Sequence, residues 1–226
     1  MPRRLRIARA LAIGLALVAS APVSAQDTAK SAAAESAAAE SAAAESAAAD
    51  SLATPTPAER EQALAAWDLA AAPGPWHAFL ARRAGRWLVD GRIWNEPGGE
   101  PVVSTGESRL EMVLDGRFLQ ERHEGQAGGR PYEGLGLLGF DNADSTFTVV
   151  WLDNLGTRTA VLRGPAGAPG EPIELRGGYT DPASGRAVSL RLVITWNGAE
   201  GQRWEYFGAP EGFDEARLME LVYRRR

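Results

Sequence analysis

The stretch Ser108-Arg-Leu-Glu-Met-Val-Leu-Asp115-Gly116-Arg-Phe118-Leu-Gln-Glu-Arg-His-Glu-Gly125 decides the fold. Before the turn, Ser108, Leu110, Met112 and Leu114 alternate with Glu107, Arg109 and Glu111. That period of two sets one face of a strand toward a core and the other toward water. Asp115-Gly116 between two such runs marks a tight hairpin. After the turn the pattern is mixed: Gln120, Arg122 and Glu124 share one face, and Glu121 and His123 share the other. Some charge must therefore face inward.

Outward from this hairpin the same texture runs from Arg86 to the C-terminus, in short β-branched and aromatic stretches separated by Gly, Pro, Asn and Asp. It predicts ten strands at 86–94, 102–114, 117–125, 131–140, 145–153, 157–164, 172–179, 187–196, 202–208 and 215–225. Turns at 126–130, 141–144 and 154–156 join neighbours as hairpins. Val188, Leu190, Leu192, Ile194 and Trp196 opposite Ser189, Arg191 and Thr195 repeat the half-buried pattern. Ten twisted, consecutively paired strands close more readily than they stay open, because closure removes the edges. The expected fold is all-β, an up-and-down antiparallel barrel of about ten strands preceded by short helices.

The region before the barrel reads differently. Thr56-Pro57-Ala58-Glu59 is a capping-box helix start, leading to a helix ending near Ala71 with a narrow apolar stripe of Leu64, Trp67 and Ala71, suited to lying on a domain. Pro73-Gly74-Pro75 interrupts it. A second helix, 76–84, puts Trp76, Phe79 and Leu80 on one side and stops at Gly85. Residues 31–50 are four five-residue Ser-Ala-Ala-Ala-acid units, matching neither a helix face nor a strand face, so 26–56 is expected to be a low-complexity linker. Residues 1–25 carry Arg3, Arg4, Arg6 and Arg9, then an apolar run from Ala10 to Val18, then Val23-Ser24-Ala25. That is the pattern of a signal peptide cut after Ala25, which implies a periplasmic or secreted protein and a domain at 57–226.

The formal charge is −5, and loss of the first 25 residues removes four more positive charges. Such a chain is a poor partner for nucleic acid or an anionic membrane. Beyond the first segment no apolar run is long enough to span a membrane. With no cysteine, packing alone must hold the domain. His77 and His123 have no metal-ligand spacing, no nucleophile elbow occurs, and Gly134-Leu-Gly-Leu-Leu-Gly139 has neither the following helix nor the Lys of a phosphate loop. His77 reads as a structural hydrogen-bonding residue. Glycines at alternate strand positions fit close approach of neighbouring groups in a barrel wall. No metal or cofactor is expected.

Gly85-Arg86-Trp87 at the first strand and Tyr223-Arg224-Arg225 at the last resemble the Gly-x-Trp and terminal Arg arrangement of lipocalin-like (calycin) barrels, in which a guanidinium packs on the tryptophan. Gly85, Trp87, Tyr223 and Arg225 are the expected structural residues. Pro73-Gly74-Pro75-x-His77, Asp115-Gly116-Arg117-Phe118-Leu119-Gln120, Pro131-Tyr132-Glu133-Gly134, Leu138-Gly139-Phe140-Asp141-Asn142, Trp151-Leu152-Asp153-Asn154-x-Gly156-Thr157 and Met219-Glu220-Leu221-x-Tyr223-x-Arg225 together resemble domain of unknown function family 1579. The chain departs from that pattern at Trp76, at Phe140 and in its alanine-rich arm. The resemblance implies a lipocalin-like barrel and carries no activity.

A barrel of this size can enclose one ligand. The sequence therefore suggests a non-enzymatic binder of a small apolar or amphipathic molecule, with Arg122, Glu124, Trp151, Asp153 and Tyr206 expected to face the ligand. The alternatives are a structural or interaction module of the envelope with a filled interior, and a small-molecule enzyme using inward Glu124 or Asp153.

Overall fold

The structure, a computed structural model, describes residues 55–226. The expected signal peptide and nearly all of the expected linker lie outside these residues. Helix α1 (Pro57–Ala71) has the capping box read from the sequence: the Glu59 N–H donates to Thr56 Oγ1 at 3.3 Å, and Thr56 N–H donates to Glu59 Oε2 at 2.7 Å. None of its residues is buried, and the stripe expected to pack is exposed at Leu64 and Trp67. An alanine-rich helix with so few large apolar groups has little to bury. Up to Leu69 it belongs to a separate compact unit, and Ala70–Arg226 forms the barrel unit.

That unit begins with α2 (Pro75–Ala81) and continues through β1 (Gly85–Ile93), β2 (Val102–Val113), β3 (Phe118–Ala127), β4 (Arg130–Asp141), β5 (Thr146–Asp153), β6 (Ala160–Pro165), β7 (Ile173–Thr180), β8 (Ala187–Asn197), β9 (Gly201–Pro210) and β10 (Ala216–Arg225). Every strand pairs antiparallel with its sequence neighbours, and β1 pairs with β10 to close the barrel. All ten expected strands are present, within three residues at each end. One alternation ends early: Leu114 and Asp115 adopt left-handed backbone in the β2–β3 turn, and Leu114, expected to face inward, is 69% exposed. Among the described residues no helix is long and apolar enough to cross a membrane.

One end of the barrel is plugged. Trp76, Phe79 and Leu80 of α2 are buried, with Trp76 edge-on to Phe147 at the start of β5 and Phe79 edge-on to Trp196 near the end of β8. The His77 Nδ1 atom accepts the Gly74 N–H at 2.9 Å, which makes it the capping residue of this helix. At the β1–β10 seam the Arg225 guanidinium lies 4.6 Å from the centre of the buried Trp87 ring. It also donates to the carbonyls of Ala84 and Arg82, at 3.1 and 2.7 Å. Gly85 is required here twice over: its φ is +140°, and a Cβ would sit 2.6 Å from Arg225 Nη1.

This seam yields a stability prediction. Arg225→Leu removes one cation–π contact, two charge-assisted hydrogen bonds and a solvent-exposed ion pair with Glu200, so urea unfolding should show a loss of about 2–3 kcal/mol with an unchanged m-value. A loss under about 0.5 kcal/mol would mean the seam is held by the strand ladder alone.

Candidate functional site

Because β2 and β3 pair antiparallel, Ser108 stands opposite His123, Leu110 opposite Glu121 and Met112 opposite Leu119. Directly opposed residues share a face. The inward face of β2 therefore carries Leu119, Glu121 and His123 inward on β3, and Gln120, Arg122 and Glu124 turn outward. The expectation that Arg122 and Glu124 face the interior is corrected on this point: both are exposed on the outer wall. The signal was present in the sequence, since a two-residue Asp115-Gly116 hairpin gives the same register and extends the inward set of β2 across the turn.

Glu121 is 5% exposed and accepts two hydrogen bonds at one oxygen, from Ser108 Oγ at 2.6 Å and from the Tyr223 hydroxyl at 3.1 Å. Burial pushes its pKa up to about 7 against the pull of those two donors. Ser108 Oγ also lies 2.9 Å from His123 Nδ1. Burial lowers the His123 pKa, so the ring is neutral near pH 7. With Glu121 ionised, the single Ser108 proton points to the carboxylate, and Nδ1 must then be the protonated nitrogen, donating to Ser108. Nε2 is left with its lone pair free. The ring fits only because two facing residues lack side chains: a Cβ at Gly106 would lie 2.6 Å from His123 Nε2, and one at Gly125 3.1 Å from it.

Above this group opens a cavity of about 430 Å³, at the end of the barrel away from α2. His123, Tyr132, Trp151, Tyr206 and Tyr223 form its inner end, and Val89, Leu162, Leu190 and Leu221 line its wall. Asp153, opposite Gly134, also lines it, and Arg130 and Arg158, at the β3–β4 and β5–β6 connections, stand near the mouth. Below Glu121 the barrel is filled by Leu110, Leu119, Leu138, Val149 and Trp204.

Of the five residues expected to face a ligand, Trp151, Asp153 and Tyr206 line the cavity together. Trp151 is seated on the glycines of β4: a Cβ at Gly134 or Gly136 would come within 2.2 or 2.9 Å of its indole. Its Nε1 donates to the Tyr132 hydroxyl at 2.9 Å. Burial, then the charge of Asp153, raises the Tyr132 pKa; burial, then the charge of Glu121, raises those of Tyr206 and Tyr223. All three phenols are therefore protonated at neutral pH and able to donate. Sequence reasoning missed His123, Tyr132, Arg130 and Arg158 as cavity residues.

Residues 72–225 match the family described as "Protein of unknown function (DUF1579)". The chain belongs to the DUF1579 family. No curated protein matches it. Among solved structures this DUF1579 chain is similar to the crystal structure of Rv2717c from M. tuberculosis, at 18% identity over 69% of this chain and 99% of that one, with a TM-score of 0.49. It is also similar to the structure titled EF1p2_mFAP2b bound to DFHBI, at 11% identity over 67% and 99%, with a TM-score of 0.38. Likeness at this level says nothing about what the DUF1579 chain binds.

A carboxyl group whose pKa rises from 4.5 to about 7 on folding is bound to its proton more tightly in the folded state. Its contribution is present in full below pH 4.5 and is lost as the pH rises through about 7. Denaturation measured across this window should show wild type losing about 3 kcal/mol relative to Glu121→Gln. Parallel curves for the two proteins would place Glu121 in an environment as polar as water.

Proposed function

We propose that this protein is an exported, non-enzymatic binder whose calycin-like barrel holds one small apolar or amphipathic ligand. The observation that carries the reading is the cavity of about 430 Å³, open at one end of a barrel plugged at the other. Ligand cavities of this size with mostly apolar walls and a few convergent polar groups are the usual form of small-molecule sites. A purely structural module would be expected to fill its interior with side chains, and the space above His123 weighs against that alternative. The export part of the reading rests on residues 1–25, with their four arginines, apolar run and Val23-Ser24-Ala25.

In this reading Trp151 and Tyr206 supply flat aromatic surface, and Asp153 supplies a polar group on the wall. The ligand enters from the end formed by the β3–β4 and β5–β6 connections, where Gly128 and Leu155 line the opening. The apolar body takes the place of water against Val89, Leu162, Leu190 and Leu221, which is where most of the binding free energy would arise.

Titration with the neutral fluorophore N-phenylnaphthylamine tests this. The purified protein should enhance its fluorescence saturably with one site per chain. Ala160→Trp, which fills space on the cavity wall, should weaken that binding by at least about tenfold with an unchanged far-ultraviolet circular dichroism spectrum. Equal binding by the filled variant would mean the dye sits elsewhere and the cavity is not the site.

A further inference from the structure

Two hydrogen-bonding atoms at the inner end of the cavity have no partner among the described residues: His123 Nε2 and the Tyr206 hydroxyl. The hydrogen-bond order fixes the character of each. With Glu121 ionised, Ser108 gives its proton to the carboxylate and receives one from His123 Nδ1, which leaves Nε2 as an acceptor. Tyr206 keeps its phenolic proton, held by burial and by the nearby charge of Glu121, so it can donate. An acceptor and a donor lining the same cavity are matched by a hydroxyl group, which can donate to one and accept from the other. A ketone would satisfy only the donor, and a methyl group neither.

The mouth has the opposite chemistry. Arg130 and Arg158 line it, and neither forms a salt bridge among the described residues. Arg158 instead lies over the Tyr179 ring, 4.1 Å from its centre. Asp153 is already engaged: it accepts the Leu155 N–H at 3.0 Å and interacts with the Tyr132 hydroxyl. In a chain of formal charge −5, two unneutralised guanidinium groups on a cavity rim favour an anion. The two ends are set apart by apolar wall. His123 pairs with Gly134, and Arg130 lies four residues along the same strand, so the span is about 13 Å before the arginine's own reach is added.

We propose that the cavity selects amphipathic carboxylic acids that carry a hydroxyl at the far end of their apolar chain. The hydroxyl seats between His123 Nε2 and Tyr206 at the inner end, the chain lies along Val89, Leu162, Leu190 and Leu221, and the carboxylate meets Arg130 and Arg158 at the mouth. This deepens the ligand-binding reading and rests on it.

Displacement of N-phenylnaphthylamine by three chain-matched probes separates the two. ω-Hydroxydodecanoic acid should displace the dye at a concentration about tenfold lower than dodecanoic acid, which lacks the hydroxyl, and about tenfold lower than dodecanediol, which lacks the acid. His123→Phe should erase the preference for the hydroxy acid over dodecanoic acid. Tyr206→Phe reads the same contact by a second route should His123→Phe fail to fold. The double variant Arg130→Gln/Arg158→Gln should erase the preference for the hydroxy acid over the diol. Dye binding with no preference among the three probes would overturn the selectivity and leave the ligand-binding reading standing. Absence of dye binding would overturn both.

Discussion

A carboxylate facing the inside of an apolar barrel must be given donors or be neutralised, because burial without partners costs several kcal/mol. Glu121 sets that requirement here. Ser108 and Tyr223 meet it from the neighbouring strand and from the last strand of the barrel, so the group ties β2, β3 and β10 together at one level. Meeting it has consequences higher in the barrel. Ser108 has one proton to give, so while Glu121 is ionised the imidazole beside it supplies its own, and Nε2 becomes an acceptor. The glycines at 106 and 125 are the space this arrangement needs.

The two ends of the barrel are specialised by the same logic of packing against polarity. At the plugged end, aromatic residues of α2 and the strand ends interlock, and the Arg225 guanidinium is held between the Trp87 ring and two carbonyls, with the Glu200 carboxylate 3.5 Å from its Nε. At the open end Ser104, Thr105, Gly106 and Gly128 stand among apolar wall residues, and the interior is left unfilled. Closure by β1–β10 pairing lets one end be tightly packed while the other stays open, since no sheet edge needs covering.

Much of this was legible in the sequence, because strand alternation and hairpin turns are local signals. The ten strands, the α2 helix with its apolar side and the Gly85–Trp87–Arg225 seam all follow from residues near one another in the chain or from the family resemblance. The inward face of β3 was legible too, but only by carrying register across the turn; judged alone, residues 118–125 offer charge on both faces and mislead toward Arg122 and Glu124. Leu114 was misplaced because alternation does not say where a strand ends and a left-handed turn begins. The cavity was not legible, because whether side chains from ten strands fill a barrel depends on their summed volumes and directions across strands far apart in sequence. His123, Tyr206 and Tyr223 come together with Glu121 from β3, β9 and β10, and no spacing in the chain announces that meeting.

The tautomer of His123 reports the proton order of the inner wall directly. Two-bond nitrogen–proton correlation spectra of the imidazole, recorded well above the pH of about 7 at which Glu121 titrates, distinguish the two ring nitrogens. A protonated Nδ1 and a bare, pyridine-like Nε2 are expected. A protonated Nε2 with a bare Nδ1 under the same conditions would contradict that order.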